Sequence, residues 1–456
     1  MSAAATAIRP RIGGTSVTGR VLNVRKQLVV LARGHPASFW LLTAYIFFEY
    51  VRPQTIYPWL DILPWATTLL ALTTAASVIE SSGRRRWQTL DTAMLIFSAV
   101  VLLSLVTAYS PAYGVENLGI FTNWLILYFV ISSTLNAPNR LYFFLLTFFL
   151  WNLKMTSHAF RSWAGIGFAW RDLGTGGAPG WFQNSGEFGI QMCVIFPLSL
   201  YFALGARSRV GRLTFWALMI LPISAVLGAI ASSSRGALLG IAAVGLLALL
   251  RSKYKVRATV ATLVLASAAY ALVPPEQIAR MSESGSDVTS VSRLTYWERG
   301  IDITNAHPLL GVGFFNWLPY YRDHYSGWIQ LSHNIFIQCM SELGYMGLAA
   351  MVLLIIGTVV TNGRTRRAAK RLGAEGTLLH YVSLGLDGAL VGFLVSGFFI
   401  TVLYYPYLWV NLGLTAGLSI ATRSALVAQG VAVTRGTQGA SANGGVVRRR
   451  LVPTVS

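Results

Sequence analysis

Long apolar runs recur along almost the whole chain and are separated by shorter polar stretches. Most runs are close to the ~20 residues that an α-helix needs to cross a bilayer. The pattern predicts an all-α polytopic membrane protein with one transmembrane domain over residues 36–422. It indicates about twelve spans, at 36–51, 59–79, 90–108, 118–135, 141–157, 187–204, 213–230, 236–250, 258–273, 333–361, 378–401 and 404–422.

The longest polar stretch, residues 274–332, separates the ninth predicted span from the tenth. Within it, Leu294, Trp297 and Ile301 follow one another at spacings of three and four, which is typical of one face of a helix. Loops longer than ~15 residues are usually functional or disordered. Because this one has aromatic anchors, we expect an ordered, partly helical loop before the tenth span.

The charge distribution predicts the orientation in the membrane. Only 11% of residues are charged, yet the net charge is +20. With the N-terminus in the cytoplasm, most Lys and Arg residues fall on the cytoplasmic side, as the positive-inside rule requires. Residues 1–35 then form a basic cytoplasmic tail, residues 423–456 form a second and disordered one, and the 274–332 loop is periplasmic. The basic excess therefore indicates membrane topology and contact with membrane lipids rather than nucleic acid.

Several kinds of chemistry have no signature in this sequence. The two cysteines, Cys193 and Cys339, both lie inside apolar runs. There is no HExxH motif and no clustered Cys and His residues of the kind that bind zinc. There is also no Gly-rich phosphate loop followed by lysine. The sequence thus predicts neither a metal nor another cofactor.

Three residues on the predicted outer face are candidates for chemistry. Arg235 follows three serines between two spans, and its planar guanidinium suits phosphate; it would alternatively anchor the helix end by reaching the interface. Arg293 begins the loop helix and would alternatively be one of the charges that this amphipathic helix exposes to water. His333 stands at the start of the tenth span and is a natural proton acceptor near neutral pH, with helix capping as the structural alternative.

Other charged residues favour structural roles. Arg299 has Glu298 and Asp302 close by, so pairing along the loop helix is the simpler interpretation. Asp387 and Glu342 lie inside predicted spans, where ionisable residues are functional candidates by default. For both we nevertheless expect an interhelical hydrogen bond or a protonated state.

Taken together, five segments resemble the O-antigen ligase and Wzy O-antigen polymerase superfamily of bacterial membrane glycosyltransferases. They are Pro179–Ser185, Ser234–Ala237, Ser292–Arg293 with Trp297, His307–Phe314, and His333–Asn334 with Gly344 and Gly347. The layout is also similar to the O-glycosylation ligases associated with exosortase systems. Those usually carry paired asparagines where this chain has Asn184 and Ser185.

The resemblance implies a GT-C-like fold and metal-independent, inverting transfer of a glycan from undecaprenyl pyrophosphate. It implies that His333 is the general base and that Arg235 and Arg293 bind the pyrophosphate, with Asn334, Ser234, Arg299 and Trp297 as supporting residues. The acceptor would be lipid A core, a protein hydroxyl or another carrier-linked glycan, at the periplasmic face of the bacterial inner membrane.

Two alternatives stay open at this point. A Wzy-type polymerase of O-antigen or exopolysaccharide repeat units would share the same residues and chemistry, although the Ser-Arg-Gly and His-Pro-Leu-Leu-Gly segments are more similar to the ligase branch. A polysaccharide transporter or flippase belongs to a different class. Transporters usually show internal repeats and broken helices near the membrane midplane, and no repeat is visible in this chain.

Overall fold

The computed structural model is all-helical. It describes residues 34–80, 85–168, 174–177, 182, 184–252, 254–256, 259–260, 264, 267 and 288–430, and no strand occurs among them. The α-helices of these residues are α1 (Ala37–Tyr50), α2 (Pro53–Ile56), α3 (Trp65–Ile79), α4 (Thr89–Val106), α5 (Pro111–Thr134), α6 (Pro138–Gly165), α7 (Ser185–Ala206), α8 (Arg212–Ala231), α9 (Arg235–Arg251), α10 (Val288–Ala306), α11 (Trp317–His324), α12 (Ile335–Arg371), α13 (Thr377–Gly397) and α14 (Pro406–Ala428). The predicted all-α class is confirmed.

Eight helices of the described residues are long and apolar enough to cross a membrane, which identifies a multi-pass membrane protein. They are α3 with the short 3-10 turn before it, α4, α5, α7, α8, α12, α13 and α14. Three further predicted spans are helical as α1, α6 and α9, but α1 and α9 are short. The ninth predicted span, 258–273, lies mostly outside the described residues. So do residues 1–33 of the first predicted tail and residues 431–456 of the second. The count of twelve therefore stays a prediction.

The helices divide into a central group and a peripheral group. Within their most apolar windows, α7 and α14 are 78% and 72% buried, whereas α8 is only 33% buried. Small residues allow the central helices to approach closely. A Cβ added at Gly392 of α13 would lie 2.6 Å from the carbonyl oxygen of Cys193 on α7. The protein core is thus built on α7, α13 and α14, and α8 faces outward.

Helix α12 is interrupted at Gly344, where φ is 67° and ψ is −169°. This backbone conformation is essentially restricted to glycine. The segment before α11 packs into the break: the amides of Val312 and Gly313 donate to the carbonyls of Ser341 and Glu342, and the amide of Tyr345 donates to the carbonyl of Pro308. The apolar pattern predicts a single span at 333–361, without this interruption at Gly344. The break fixes the polar segment preceding α12 onto the membrane domain.

The helix expected within the 274–332 loop is α10, which contains Leu294, Trp297 and Ile301. It packs closely on the first turn of α12 at Gly300. A Cβ added to this glycine would lie only 2.2 Å from the Ile337 side chain. Aromatic residues hold the neighbouring α11 in place: the Trp317 indole is almost fully buried, and its Nε1 donates to the Gln330 carbonyl at 2.8 Å. The described part of the 274–332 stretch is accordingly ordered against α12.

A buried ion-pair cluster lies at the C-terminal ends of α9 and α12. The Asp387 carboxylate of α13 accepts from Arg251 at 2.8 Å, from Arg366 at 2.7 Å and from the Asn362 side chain at 2.8 Å. Asp387 is 2% exposed. The cluster ties three helices together, in agreement with the interhelical bonding expected for Asp387. Glu342 is also buried, beside Tyr404 and Gln338 at the α12 break.

Candidate active site at the start of helix α12

His333 precedes α12 in a constrained backbone position. Its φ of +50° lies in the left-handed region, which is uncommon for a residue with a side chain. Its amide donates to the Thr401 hydroxyl oxygen at 2.7 Å. Next to it, the Asn334 side chain caps α12 by accepting from the amides of Phe336 and Ile337. Asn334 therefore supports His333 by fixing where the helix begins.

The half-buried imidazole of His333 has a defined partner. Its Nε2 lies 3.2 Å from the Gln330 side-chain oxygen. Because that oxygen only accepts hydrogen bonds, a hydrogen bond here requires the proton on Nε2, which would leave the lone pair of the neutral ring on Nδ1. Burial, and secondly the positive charge of Arg293, lower the pKa of His333 from 6.5 to about 4. The imidazole is thus neutral at physiological pH and able to accept a proton.

Arg293 reaches the same region from α10. Its effect on the pKa of His333 shows that the two side chains are close enough to interact electrostatically. One turn later, the Trp297 ring packs edge-on against Phe398 with ring centroids 5.0 Å apart. The ring of Tyr296 lies 6.4 Å from the His333 ring, centroid to centroid. Helix α10 consequently carries Arg293 and Trp297 onto the His333 side of the bundle.

Arg235 is the first residue of α9. A tight turn joins α8 to α9, with Ser233 in the left-handed region at φ +56°. The Ser234 hydroxyl caps α9 by accepting from the Ala237 amide at 3.3 Å. Gly236 lies so close to the end of α13 that an added Cβ would approach the Phe399 Cβ to 3.1 Å. The turn therefore places the start of α9, where Arg235 lies, beside the end of α13.

We call residues 396–401 the connector. The segments that carry Arg235, Arg293 and His333 all contact it. Ser396 and Phe399 pack against Gly236 beside Arg235, Phe398 packs against Trp297, and Thr401 binds the His333 backbone. Arg235, Arg293 and His333 are about 40 to 100 residues apart in sequence, and the fold gathers their segments around this one short stretch.

Arg299 has different surroundings. Its guanidinium lies 3.9 Å from the Asp302 carboxylate and 4.8 Å from the centre of the Tyr325 ring, and the side chain is 44% exposed. These contacts fit the expected charge pairing along the loop helix. A supporting role for Arg299 in substrate binding stays a prediction.

Some residues of the site carry no local signal in the sequence. Thr401 bonds to His333 across 68 residues, and Tyr296 contacts His333 only because α10 folds back onto α12. Gln330 alone was within reach of sequence reasoning, because it lies three residues before the histidine. In the described part of the chain, no group of three His, Cys, Asp or Glu side chains is arranged to hold a metal ion.

Comparison with known proteins adds independent information. The sequence model of the family described as O-antigen ligase matches residues 217–352, a range that contains Arg235, Arg293 and His333. No curated protein matches the chain. The matched region runs from α8 to the first half of α12 and includes the turn before α9. Residues 217–352 are thus similar to the O-antigen ligase family, which supports membership of the O-antigen ligase and Wzy-like superfamily.

Proposed function

We propose that this protein transfers a glycan from undecaprenyl pyrophosphate to an acceptor hydroxyl, with inversion at the anomeric carbon and without a metal ion. The reaction takes place at the membrane face where α12 begins, which the sequence predicts to be periplasmic. The observation that carries the proposal is that the segments carrying Arg235, Arg293 and His333 all contact the connector, through Gly236, Trp297 and the His333 backbone.

The two arginines bind the pyrophosphate. Arg235 stands at the N-terminus of a 17-residue helix, where the helix dipole and the first amide groups favour an anion. Arg293 approaches from the other side on α10. Because negative charge grows on the pyrophosphate as the glycosidic bond breaks, preorganised cations stabilise the transition state more than the ground state. Trp297 and Ser234 fix the helices that carry these arginines.

His333 acts as the general base. Its Nδ1 takes the proton of the acceptor hydroxyl, the hydroxyl oxygen forms a bond to the anomeric carbon, and the bond from that carbon to the pyrophosphate oxygen breaks. The leaving undecaprenyl pyrophosphate keeps the electron pair. A pKa near 4 makes the free histidine a weak base. Bound pyrophosphate offsets the charge of Arg293 and thereby raises the basicity of His333 when the donor is in place.

A reconstituted reaction tests the proposal. The purified full chain is incubated with an undecaprenyl-pyrophosphate-linked glycan and an acceptor, in the presence of EDTA and without nucleotide. We expect free undecaprenyl pyrophosphate and a glycan conjugate of inverted anomeric configuration. His333→Ala should lose at least 100-fold in rate, the low end for general-base catalysis. The matched control is His324→Ala, whose ring stacks on Tyr320 away from the connector.

The products distinguish the remaining possibilities. Transfer of the finished glycan to lipid A core or protein identifies a ligase, which the description of the matched family favours. Lengthening of the carrier-linked glycan identifies a polymerase. If the donor is not consumed although the protein is folded, the chain is not a glycosyltransferase, and a transport function becomes the better explanation.

A further inference from the structure

A basic pocket lies at the end of the bundle opposite the candidate active site. It is lined by Arg207, Val210, Arg212, Phe215 and Trp216, where α7 ends and α8 begins, and has a volume of about 440 Å³. Helix α7 has 22 residues, so at 1.5 Å per residue its two ends are roughly 33 Å apart. The pocket is therefore near the other membrane surface and separate from the site that begins α12.

The two arginines of this pocket differ from the arginine between them. Arg209 donates to the carbonyls of Ala374 and Glu375 at 3.0 and 2.7 Å, which docks the α7–α8 turn onto the α12–α13 turn. Arg207 instead lies over the Phe215 ring at 5.5 Å. No carboxylate lines the pocket, and in the described part of the chain no ion pair involves Arg207 or Arg212. The pocket is accordingly suited to an anion.

An apolar stripe starts at the pocket and runs along α8 towards the membrane interior. Leu213, Trp216, Ile220 and Ile223 are 85%, 57%, 54% and 51% exposed. Their spacings of three, four and three place them on one face of the helix. In a multi-pass membrane protein this face contacts acyl chains, and Trp216 has the position of an interfacial aromatic anchor.

We propose that this pocket binds the phosphate headgroup of an anionic phospholipid. Arg207 and Arg212 bind the phosphate, and the acyl chains lie along the Leu213–Ile223 stripe. The stripe favours a lipid over free phosphate, because an inorganic ion would make no use of an apolar surface continuous with the charged pocket. This binding site does not depend on the glycosyl-transfer chemistry proposed above.

Native mass spectrometry of the full chain tests the site. The protein is purified in detergent, exchanged into mixed micelles with either phosphatidylglycerol or phosphatidylcholine, and the lipids retained per protein are counted. We expect one phosphatidylglycerol to be retained at least tenfold more tightly than phosphatidylcholine. Arg207→Gln/Arg212→Gln should abolish that preference, while Arg207→Lys/Arg212→Lys keeps the charge and should keep part of it.

The control variant is Arg367→Gln/Lys370→Gln. It removes the same charge from exposed positions of α12 at the same end of the bundle, and it should retain the lipid. Equal loss in this control would overturn the site in favour of general surface charge. Equal retention of phosphatidylcholine would overturn the headgroup specificity. If millimolar inorganic phosphate displaces the lipid, the pocket is a free-anion site and the lipid assignment is wrong. Thermal unfolding of each variant verifies that it is folded.

Discussion

Arg251 and Arg366 lie at one end of the bundle, and Arg293 lies near His333 at the other end. The first two share the buried Asp387 carboxylate at 2.8 and 2.7 Å, so their charge is used inside the protein. The charge of Arg293 instead acts on His333, where it adds to the effect of burial in lowering the pKa. Ion pairing of the first kind holds helices together, whereas we propose that the positive charge beside His333 serves to bind an anionic ligand. The difference separates a structural cluster from a candidate catalytic one.

The largest expected effect concerns the structural end. Asp387→Ala leaves two guanidinium groups at a buried site without their carboxylate, which should lower the free energy of unfolding by about 3–5 kcal/mol. The transfer rate per folded molecule should stay unchanged. Chemical unfolding in detergent micelles measures the first quantity and the reconstituted reaction measures the second. The control is Asp302→Ala, whose exposed pair with Arg299 contributes less than about 1 kcal/mol. Equal losses in both variants would remove the distinction.

Substitutions of the arginines at the active-site end should lower the transfer rate rather than the stability. Arg293→Gln and Arg235→Gln should each lower kcat by about 100- to 1,000-fold, which is typical for loss of a donor to developing negative charge. Their melting temperatures should stay close to that of the unmodified protein. Arg299→Gln, on the same loop helix as Arg293, should retain most activity. Normal rates in both arginine variants would rule out the proposed pyrophosphate site.

The pH profile tests whether Arg293 and His333 interact. His333 is the proposed base in its neutral form, so kcat/KM should be level at neutral pH and fall only near pH 4. Arg293→Gln removes one of the two causes of the low pKa, so this acid limb should move to higher pH. An unchanged limb would mean that the two side chains do not interact.

The same pKa has a consequence for stability. Since the folded pKa of about 4 is below the ordinary 6.5, the unfolded chain binds more protons between these values, and the contribution of His333 to stability is lost as pH falls through this window. Unfolding at pH 7 and pH 5, compared between the unmodified protein and His333→Gln, measures it. The variant should show the smaller difference between the two pH values.

The smallest expected effect concerns positioning. Thr401→Val removes the hydroxyl that accepts from the His333 amide at 2.7 Å. Losing a part-buried hydrogen bond costs about 1 kcal/mol, or roughly fivefold in rate if the imidazole is misplaced. Thr401→Ser keeps the hydroxyl and should restore the rate. If the valine and serine variants behave alike, the Thr401 bond does not position His333.

The sequence predicted the helices better than their continuity. Apolar runs mark membrane helices reliably because a single segment inside a bilayer can satisfy its backbone hydrogen bonds only as a helix. The break at Gly344 was not predicted, although Gly344 was noted within the family resemblance. A lone glycine is tolerated in a helix, and only the segment from Pro308 to Gly313, packed into the break, forces this one out of helical geometry.

The sequence by itself predicted the all-α membrane class, the family resemblance and the three residues proposed to carry the chemistry. Each of these depends on residue type and local spacing: runs of apolar residues, a serine–arginine turn, and a histidine at a helix start. Only the tertiary structure decided that the segments carrying these residues contact the connector, that Thr401 and Gln330 contact His333, and that Asp387 pairs with two arginines. Such contacts join residues far apart in the chain, and close packing of the helices determines them rather than any local pattern.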